Sequence, residues 1–276
     1  MNRAMQLKAR IKNLALKNQL PAQAVLQNFM LERLLERVSL SQYQDKLILK
    51  GGMLIASMVG LNSRTTMDMD TTLRGFPLTE DSIRAALSDI CAIPLGDEVT
   101  LELDTLAPIR EDDPYGGFRA AIMARYESIH TPLKVDITTG DVITPAAIQY
   151  AFHSSFEDKR IEVWAYNLET ILAEKVETIL RRSVLNTRPR DFYDVYILMK
   201  TLKQAVDPDT LRAALKATAE NRMSLPALED GHKILLTIQD DPIMRQRWDR
   251  YCKENHYASD IGFDEVIKTL LEILNR

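Results

Sequence analysis

Cysteine is scarce in this chain, which carries only Cys91 and Cys252 among its 276 residues. The two lie far apart and form no CxxC pair, so the sequence indicates neither a disulfide framework nor a zinc site. The four histidines show no ligand spacing, and no G-x-S-x-G, Walker or Rossmann motif occurs. These absences exclude serine-type hydrolysis and P-loop chemistry.

Long hydrophobic runs are also missing. No stretch reaches the ~18 uninterrupted apolar residues that a membrane span needs, and the N-terminus is too polar for a signal peptide. The formal net charge of −4 argues against wholesale binding to a polyanion but is compatible with a local basic patch. We therefore expect a soluble, cytoplasmic protein with no membrane partner, and its 46% hydrophobic residues can build a substantial core.

The spacing of apolar residues divides the chain near residue 165. The first half predicts two helices joined at Gln19 and Leu20, followed by a short glycine-led helix and a largely antiparallel or mixed sheet with flanking helices. The second half is helical to its end. We expect an α+β fold with an N-terminal domain, residues 1–165, and a helical domain, residues 166–276, that packs against it and completes the active site. The predicted strands cover 99–106, 118–126, 133–138 and 161–164, and the later helices start at 168 and cover 192–203, 209–219, 225–238, 244–251 and 263–274.

The stretch Lys50–Arg74 contains the strongest candidates for chemistry. It ends in a strand in which alternation sends Met67 and Met69 to the core and places Asp68 and Asp70 together on the open face. Two parallel carboxylates can bind a hard divalent cation such as Mg²⁺ or Mn²⁺. The alternative is that both are solvated residues of an exposed strand face.

A third carboxylate, Asp136, lies in another predicted strand, between the β-branched Val135 and Ile137. If that strand pairs beside the first, Asp136 completes a cluster whose repulsion a divalent cation would relieve. An exposed aspartate on an edge strand is the competing interpretation.

Lys50, Gly51 and Gly52 precede the short helix. Backbone N–H groups at a helix N-terminus can approach a phosphate closely where glycine removes side-chain bulk. The simpler interpretation is a turn.

Lys175 falls inside an apolar helical stripe that includes Leu168, Leu172 and Ile179. A lysine in that position either extends its ammonium to solvent or meets a buried anion, which could be a triphosphate or the metal-binding carboxylates.

Residues 188–194 open a helix with Asp191 and Asp194 in its first turn, where capping is the simplest role. The local arginines form a candidate phosphate or nucleic-acid contact surface, although solvated arginines are the alternative. These arginines are Arg181, Arg182, Arg188 and Arg190.

Together, four segments resemble the AbiEii/AbiGii family of nucleotidyltransferase-like toxins, the toxin halves of bacterial abortive-infection and type IV toxin–antitoxin systems. The segments are residues 49–52, 64–70, 174–175 and 190–194. The resemblance implies a nucleotidyltransferase-like, polymerase-β-like fold and transfer of a nucleotide from a nucleoside triphosphate (NTP). It further implies an acceptor at the 3′ end of tRNA, so that translation and growth stop, and a cognate antitoxin encoded nearby that need not form a stable complex.

The resemblance also implies roles for individual residues. Gly51 and Gly52 would shape the phosphate pocket, Asp68 and Asp70 would bind the metal, and Asp136 would be a third ligand. Lys175 would contact the nucleotide phosphates. Further candidates are Asp191 as a catalytic residue, Lys50 and Arg190 at the nucleotide, and Asp194 and Arg188 as additional contributors. We expect Asp68, Asp70 and Lys175 to converge on one cleft.

Two rival functions stay open at the level of sequence. One is a nucleotidyltransferase that modifies a protein or a small molecule, and the other is an inactive nucleotide-binding interaction module on the same scaffold.

Overall fold

Two structural units make up the described part of the chain, residues 3–109 and 116–276 of the computed structural model. The first unit comprises the described residues up to Asp141 together with Ile148–Ala165, and the second comprises Val142–Ala147 together with Tyr166–Arg276. The first unit contains all the described strands, and the second is built of helices.

The first unit alternates helices and strands. Its helices are α1 (Arg3–Asn18), α2 (Ala22–Leu40), α3 (Gly51–Val59) and α4 (Glu80–Cys91). Its strands are β1 (Leu47–Lys50), β2 (Asp68–Leu73), β3 (Thr100–Ile109), β4 (Gly117–Tyr126), β5 (Ile129–Thr138), β6 (Ile148–His153) and β7 (Arg160–Ala165).

The second unit consists of α5 (Leu168–Arg182), α6 (Pro189–Leu202), α7 (Pro208–Asn221), α8 (Leu225–Glu229), α9 (Gly231–Asp240), α10 (Pro242–Glu254) and α11 (Phe263–Leu274). Single 3₁₀ turns cover 183–185, 203–205 and 256–258.

Proline placement explains the first break in the chain. Pro21 stands immediately before α2 in an extended conformation, with φ −60° and ψ 132°. Proline at a helix start loses no hydrogen bond, because the first N–H groups of a helix have no partner within it. The predicted division into two helices is confirmed.

The seven strands described form one mixed sheet in the order β3-β4-β5-β2-β1-β7-β6. Neighbours are antiparallel except for two pairs, β2 with β5 and β1 with β7, which are parallel. The predicted α+β class with a mixed sheet and a helical C-terminal half is confirmed. Strand β6 was not predicted, because it lies at the sheet edge and Phe152 is its one fully buried side chain, which leaves a weak alternation.

Helix α2 packs against β5 and β7 and is fixed by charged side chains that are themselves buried. The Arg37 guanidinium donates to both oxygens of Asp97, at 3.1 and 2.9 Å, and to the carbonyls of Ile93 and Val99. Glu32 accepts from the Ser154 hydroxyl and the Ser155 N–H, and burial raises the pKa of its carboxyl. These bonds tie α2 to two separate loops.

Helix α5 is the centre of the second unit and contacts α6, α7, α8 and α9. Its N-cap is Asn167, whose side chain accepts from the Thr170 N–H at 2.8 Å and donates to the Thr144 carbonyl at 2.7 Å. The second bond joins the segment Val142–Ala147 to this unit.

One predicted helix is interrupted. The single helix expected over 225–238 is divided at Asp230 into α8 and α9, and α9 begins at Gly231. Glycine disfavours a helix interior, and a Cβ on Gly231 would lie 2.8 Å from Cδ1 of Leu274, so the backbone here lies close against α11.

We expect Arg37→Met to lower the free energy of unfolding by about 3–5 kcal/mol, because it leaves a largely buried carboxylate and two carbonyls without their donor. The matched control is Arg84→Met, which removes an exposed α4 pair with Glu80 and should change stability by less than about 1 kcal/mol. Urea unfolding measures both. Equal losses in the two variants would contradict the importance of the Arg37 contacts.

Candidate active site

The parallel pairing of β2 with β5 brings the predicted carboxylates side by side. Asp70 lies opposite Asp136 in the register, and Asp68 lies opposite Lys134. Met69 and Val135, on the other face of these strands, are buried. The strand pairing on which the Asp136 hypothesis depended is therefore present.

Met67 differs from its prediction. It is 47% exposed rather than in the core. Strand β2 begins at Asp68, so the two-residue alternation does not extend back to Met67. The core contribution of this segment comes from Met69 and the residues that follow it.

Two cations from neighbouring strands hold the outer carboxylates. Lys134 Nζ lies 2.6 Å from Asp68 Oδ2. Arg119 of β4 donates from Nε and Nη2 to the two oxygens of Asp136, both at 2.8 Å. The bond to Asp136 is the main cause that raises the pKa of Arg119, and the charges of Asp68 and Asp70 act in the same direction.

Gly51 makes room for Asp70. Its φ is +68°, and a Cβ added to it would lie 2.1 Å from Asp70 Oδ2 and 2.8 Å from Asp70 Cβ. Gly52 is also confined, since a Cβ added to it would lie 2.8 Å from Thr66 Oγ1 and 2.9 Å from an Arg64 nitrogen. The glycine pair therefore lets the start of α3 approach β2 and the loop before it.

Lys50 precedes α3, and its side chain makes no capping hydrogen bond there. Its ammonium forms a buried ion pair with Asp141, whose Oδ2 also accepts from Thr138 Oγ1 at 3.0 Å. This partner was not predicted from the sequence.

The donor chemistry of the carboxylate face fits a divalent cation, because Asp68, Asp70 and Asp136 offer oxygen ligands from adjacent strands. Within residues 3–109 and 116–276, however, no three His, Cys, Asp or Glu side chains are arranged ready for a metal ion. Lys134 forms an ion pair with Asp68, and Arg119 forms one with Asp136. A cation bound by all three would therefore compete with Lys134 and Arg119 for the carboxylate oxygens.

Lys175 of α5 meets buried anions instead of extending to solvent. Its Nζ lies 2.6 Å from Asp191 Oδ1 and 3.0 Å from Asp194 Oδ2. The Asp191 and Asp194 side chains are 3% and 0% exposed. Of the two interpretations of Lys175, the buried anionic partner is correct, and the partners come from α6 of the same unit.

The capping interpretation of α6 is wrong in detail. The helix has no side-chain cap at Arg188, and of the two aspartates only Asp191 lies in the first turn. Asp191 is directed to Lys175, and its Oδ2 lies 3.0 Å from Arg188 Nε without the geometry of a hydrogen bond. Both carboxylates therefore form ion pairs with Lys175, and neither caps the N-terminus of α6.

The arginines around this cluster are only partly available to a ligand. Arg188 and Arg190 are exposed. Arg181 is also exposed, but its Nε donates to Glu177 at 2.7 Å. Arg182 is half-buried.

Residues 33–269 match the family described as nucleotidyl transferase AbiEii toxin, type IV TA system. The chain belongs to this family. It is thus a nucleotidyltransferase toxin of a type IV toxin–antitoxin system, with an NTP as substrate and a cognate antitoxin as partner. The family resemblance carried by the four sequence segments is confirmed.

Two solved structures resemble this chain in fold. MenT4, a nucleotidyltransferase toxin from Mycobacterium tuberculosis H37Rv, is 15% identical with a TM-score of 0.57, over 97% of this chain and 98% of that one. JHP933 from Helicobacter pylori is 16% identical with a TM-score of 0.52, over 92% and 90%. At such identities the likeness concerns the fold alone. No curated protein matches the chain in sequence.

Among the described residues, no helix has both the length and the apolar character that crossing a membrane requires.

We expect Gly51→Ala to reduce nucleotidyl transfer by about 100-fold, because a displacement of Asp70 by about 1 Å has effects of this size. The matched control is Gly75→Ala, which has a similar φ of +61° but no atom near its added Cβ. Both variants should lose about 1–2 kcal/mol from the left-handed backbone, and Gly51→Ala should lose more. Activity is compared at a temperature at which both are folded, and similar activities would contradict the Asp70 contact as the cause.

Proposed function

We propose that this AbiEii toxin transfers a nucleotide from an NTP to the 3′ end of tRNA in a reaction that requires Mg²⁺ or Mn²⁺. The observation that carries the proposal is the register of β2 and β5, which sets Asp70 beside Asp136 and leaves Asp68 on the same face. An exposed strand face has no structural need for three neighbouring carboxylates, which repel one another.

Asp68 and Asp70 would bind the cation, with Asp136 as third ligand, and a cation held there supplies positive charge to the triphosphate. The glycine pair has a complementary part. Because Gly51 carries no Cβ, the N-terminus of α3 lies against Asp70, and a phosphate bound by its N–H groups would be close to this proposed metal ligand. Lys50 supports this corner through its ion pair with Asp141, and we assign it an indirect role at the nucleotide.

In the helical unit we assign Lys175 to a phosphate contact during the reaction. Its ammonium is held between Asp191 and Asp194, so its position is fixed by two ion pairs on the rigid helix α6. Asp191 then acts mainly by orienting Lys175, with Asp194 in support. Arg190 and Arg188 are exposed at the start of the same helix and would add phosphate contacts.

The transfer itself forms one bond and breaks one. An acceptor hydroxyl oxygen bonds to the α-phosphorus and its proton passes to solvent water, the bond from that phosphorus to the oxygen of the β-phosphate breaks, and pyrophosphate leaves with the electron pair of that bond. The side chains position the reactants and neutralise their charge. A tRNA 3′ end provides such a hydroxyl, and its extension would block aminoacylation. Because tRNA is cytoplasmic, this acceptor would place the action of the toxin in the cytoplasm. The antitoxin, in this proposal, neutralises the toxin without forming a stable complex with it.

Asp70→Asn should lower nucleotide transfer by about 100-fold or more, because it removes a charge that only the cation-bound reaction needs. Asparagine has nearly the same shape as aspartate, so the variant should fold. Asp104→Asn, on exposed β3, is the matched control and should keep activity and growth arrest. If Asp70→Asn arrests growth as well as the unchanged toxin does, the protein acts as an interaction module and not through transfer.

The acceptor is tested separately with α-labelled NTPs and either total tRNA or total protein. We expect label in RNA of tRNA length, sensitive to removal of divalent cations. Label that enters protein and never RNA would replace the tRNA proposal with protein modification.

A further inference from the structure

Arg119 forms the best-defined ion pair of the carboxylate face. It stands directly opposite Asp136 in the antiparallel register of β4 and β5, and its two nitrogens donate to both carboxylate oxygens at 2.8 Å. This two-point geometry fixes the orientation of the carboxylate as well as balancing its charge. It also occupies the same oxygen atoms that a metal ion would need.

The exposure of the Arg119 side chain allows it to move away from Asp136. The Arg119 side chain is 48% exposed, whereas that of Asp136 is 17% exposed. A long side chain with one end in solvent can leave its partner without opening the core, while the carboxylate stays where β5 fixes it. Water also screens the exposed half of the guanidinium, so a divalent cation, with twice the charge, can compete with Arg119 for the carboxylate.

We propose that Arg119 is a positioning residue that holds Asp136 in the metal-free toxin and competes with the divalent cation for it. The inference rests on the proposed metal role of Asp136. Lys134, which holds Asp68 from β5, has the same relation to the other end of the carboxylate row.

Strand β4 offers a natural comparison. Arg125 donates to Glu102 at 3.0 Å, with a side chain 46% exposed, and so resembles Arg119 in strand and exposure, although it makes a single bond and Glu102 is 70% exposed. The charges around the two arginines also differ, since Asp68 and Asp70 act on Arg119 as well. An ordinary cross-strand pair predicts the same behaviour for both arginines, whereas competition with a cation predicts an effect of Arg119 alone.

The test measures Mn²⁺ binding to the full chain without nucleotide by electron paramagnetic resonance. We expect Arg119→Gln to bind Mn²⁺ about three- to fivefold more tightly than the unchanged protein, the factor that loss of a competing exposed ion pair gives. Arg125→Gln should bind as the unchanged protein does. Circular dichroism and thermal melting confirm that each variant is folded.

A second pair of variants separates competition for Asp136 from a general loss of positive charge. In an Asp136→Asn background, removal of Arg119 should no longer tighten Mn²⁺ binding, because the shared ligand is gone. If the tightening persists there, or if Arg119→Gln binds no more tightly than Arg125→Gln, the inference is overturned. If none of the proteins binds Mn²⁺, the proposed metal role of the carboxylates fails, and the inference fails with it.

Discussion

Repulsion between carboxylates on adjacent strands is the constraint around which the α/β unit is arranged. The parallel pairing of β2 with β5 sets Asp70 beside Asp136, and two like charges in that position destabilise a sheet unless a cation lies near. Parallel neighbours also require a long connection, and here it contains α4, β3 and β4. Because β4 returns beside β5, the connection that makes the parallel pair possible also delivers Arg119 to Asp136. The strand order thus places a positive charge, Arg119, beside the two carboxylates that the β2–β5 register brings together.

The corner between β1 and α3 shows a second consequence of crowding. Lys50 lies opposite Asp70 in the register, but its ammonium pairs with Asp141. The positive φ of Gly51 and its missing Cβ then let the backbone at the start of α3 lie against Asp70. The turn and the close approach of Asp70 therefore account for the glycine at position 51, and the phosphate contact at this helix N-terminus stays a proposal.

Sequence patterns revealed the residues whose signal is local. Alternation singled out Asp68 and Asp70, and the break in an apolar stripe singled out Lys175, because a lysine there must either reach solvent or meet a buried anion. Arg119 was missed because its partner depends on register. Pro132 made the start of β5 resemble a loop, whereas the strand begins at Ile129 and the β4–β5 turn is only Glu127 and Ser128. That two-residue turn fixes Arg119 opposite Asp136, so the signal existed but required the turn to be recognised.

The two units differ in how they hold their cations, and this difference has a physical meaning. Lys175 is fixed by two deeply buried carboxylates, so little conformational entropy is left for a ligand to remove. Arg119 is half exposed and held by one carboxylate, so it can exchange partners at low cost. In the proposed reaction Lys175 would supply a charge that is positioned in advance, and Arg119 would neutralise Asp136 until a divalent cation takes its place. A compact ammonium held between two buried carboxylates and a planar guanidinium paired with both oxygens of one carboxylate differ in shape, so substitution of lysine by arginine or the reverse would not be conservative at either position.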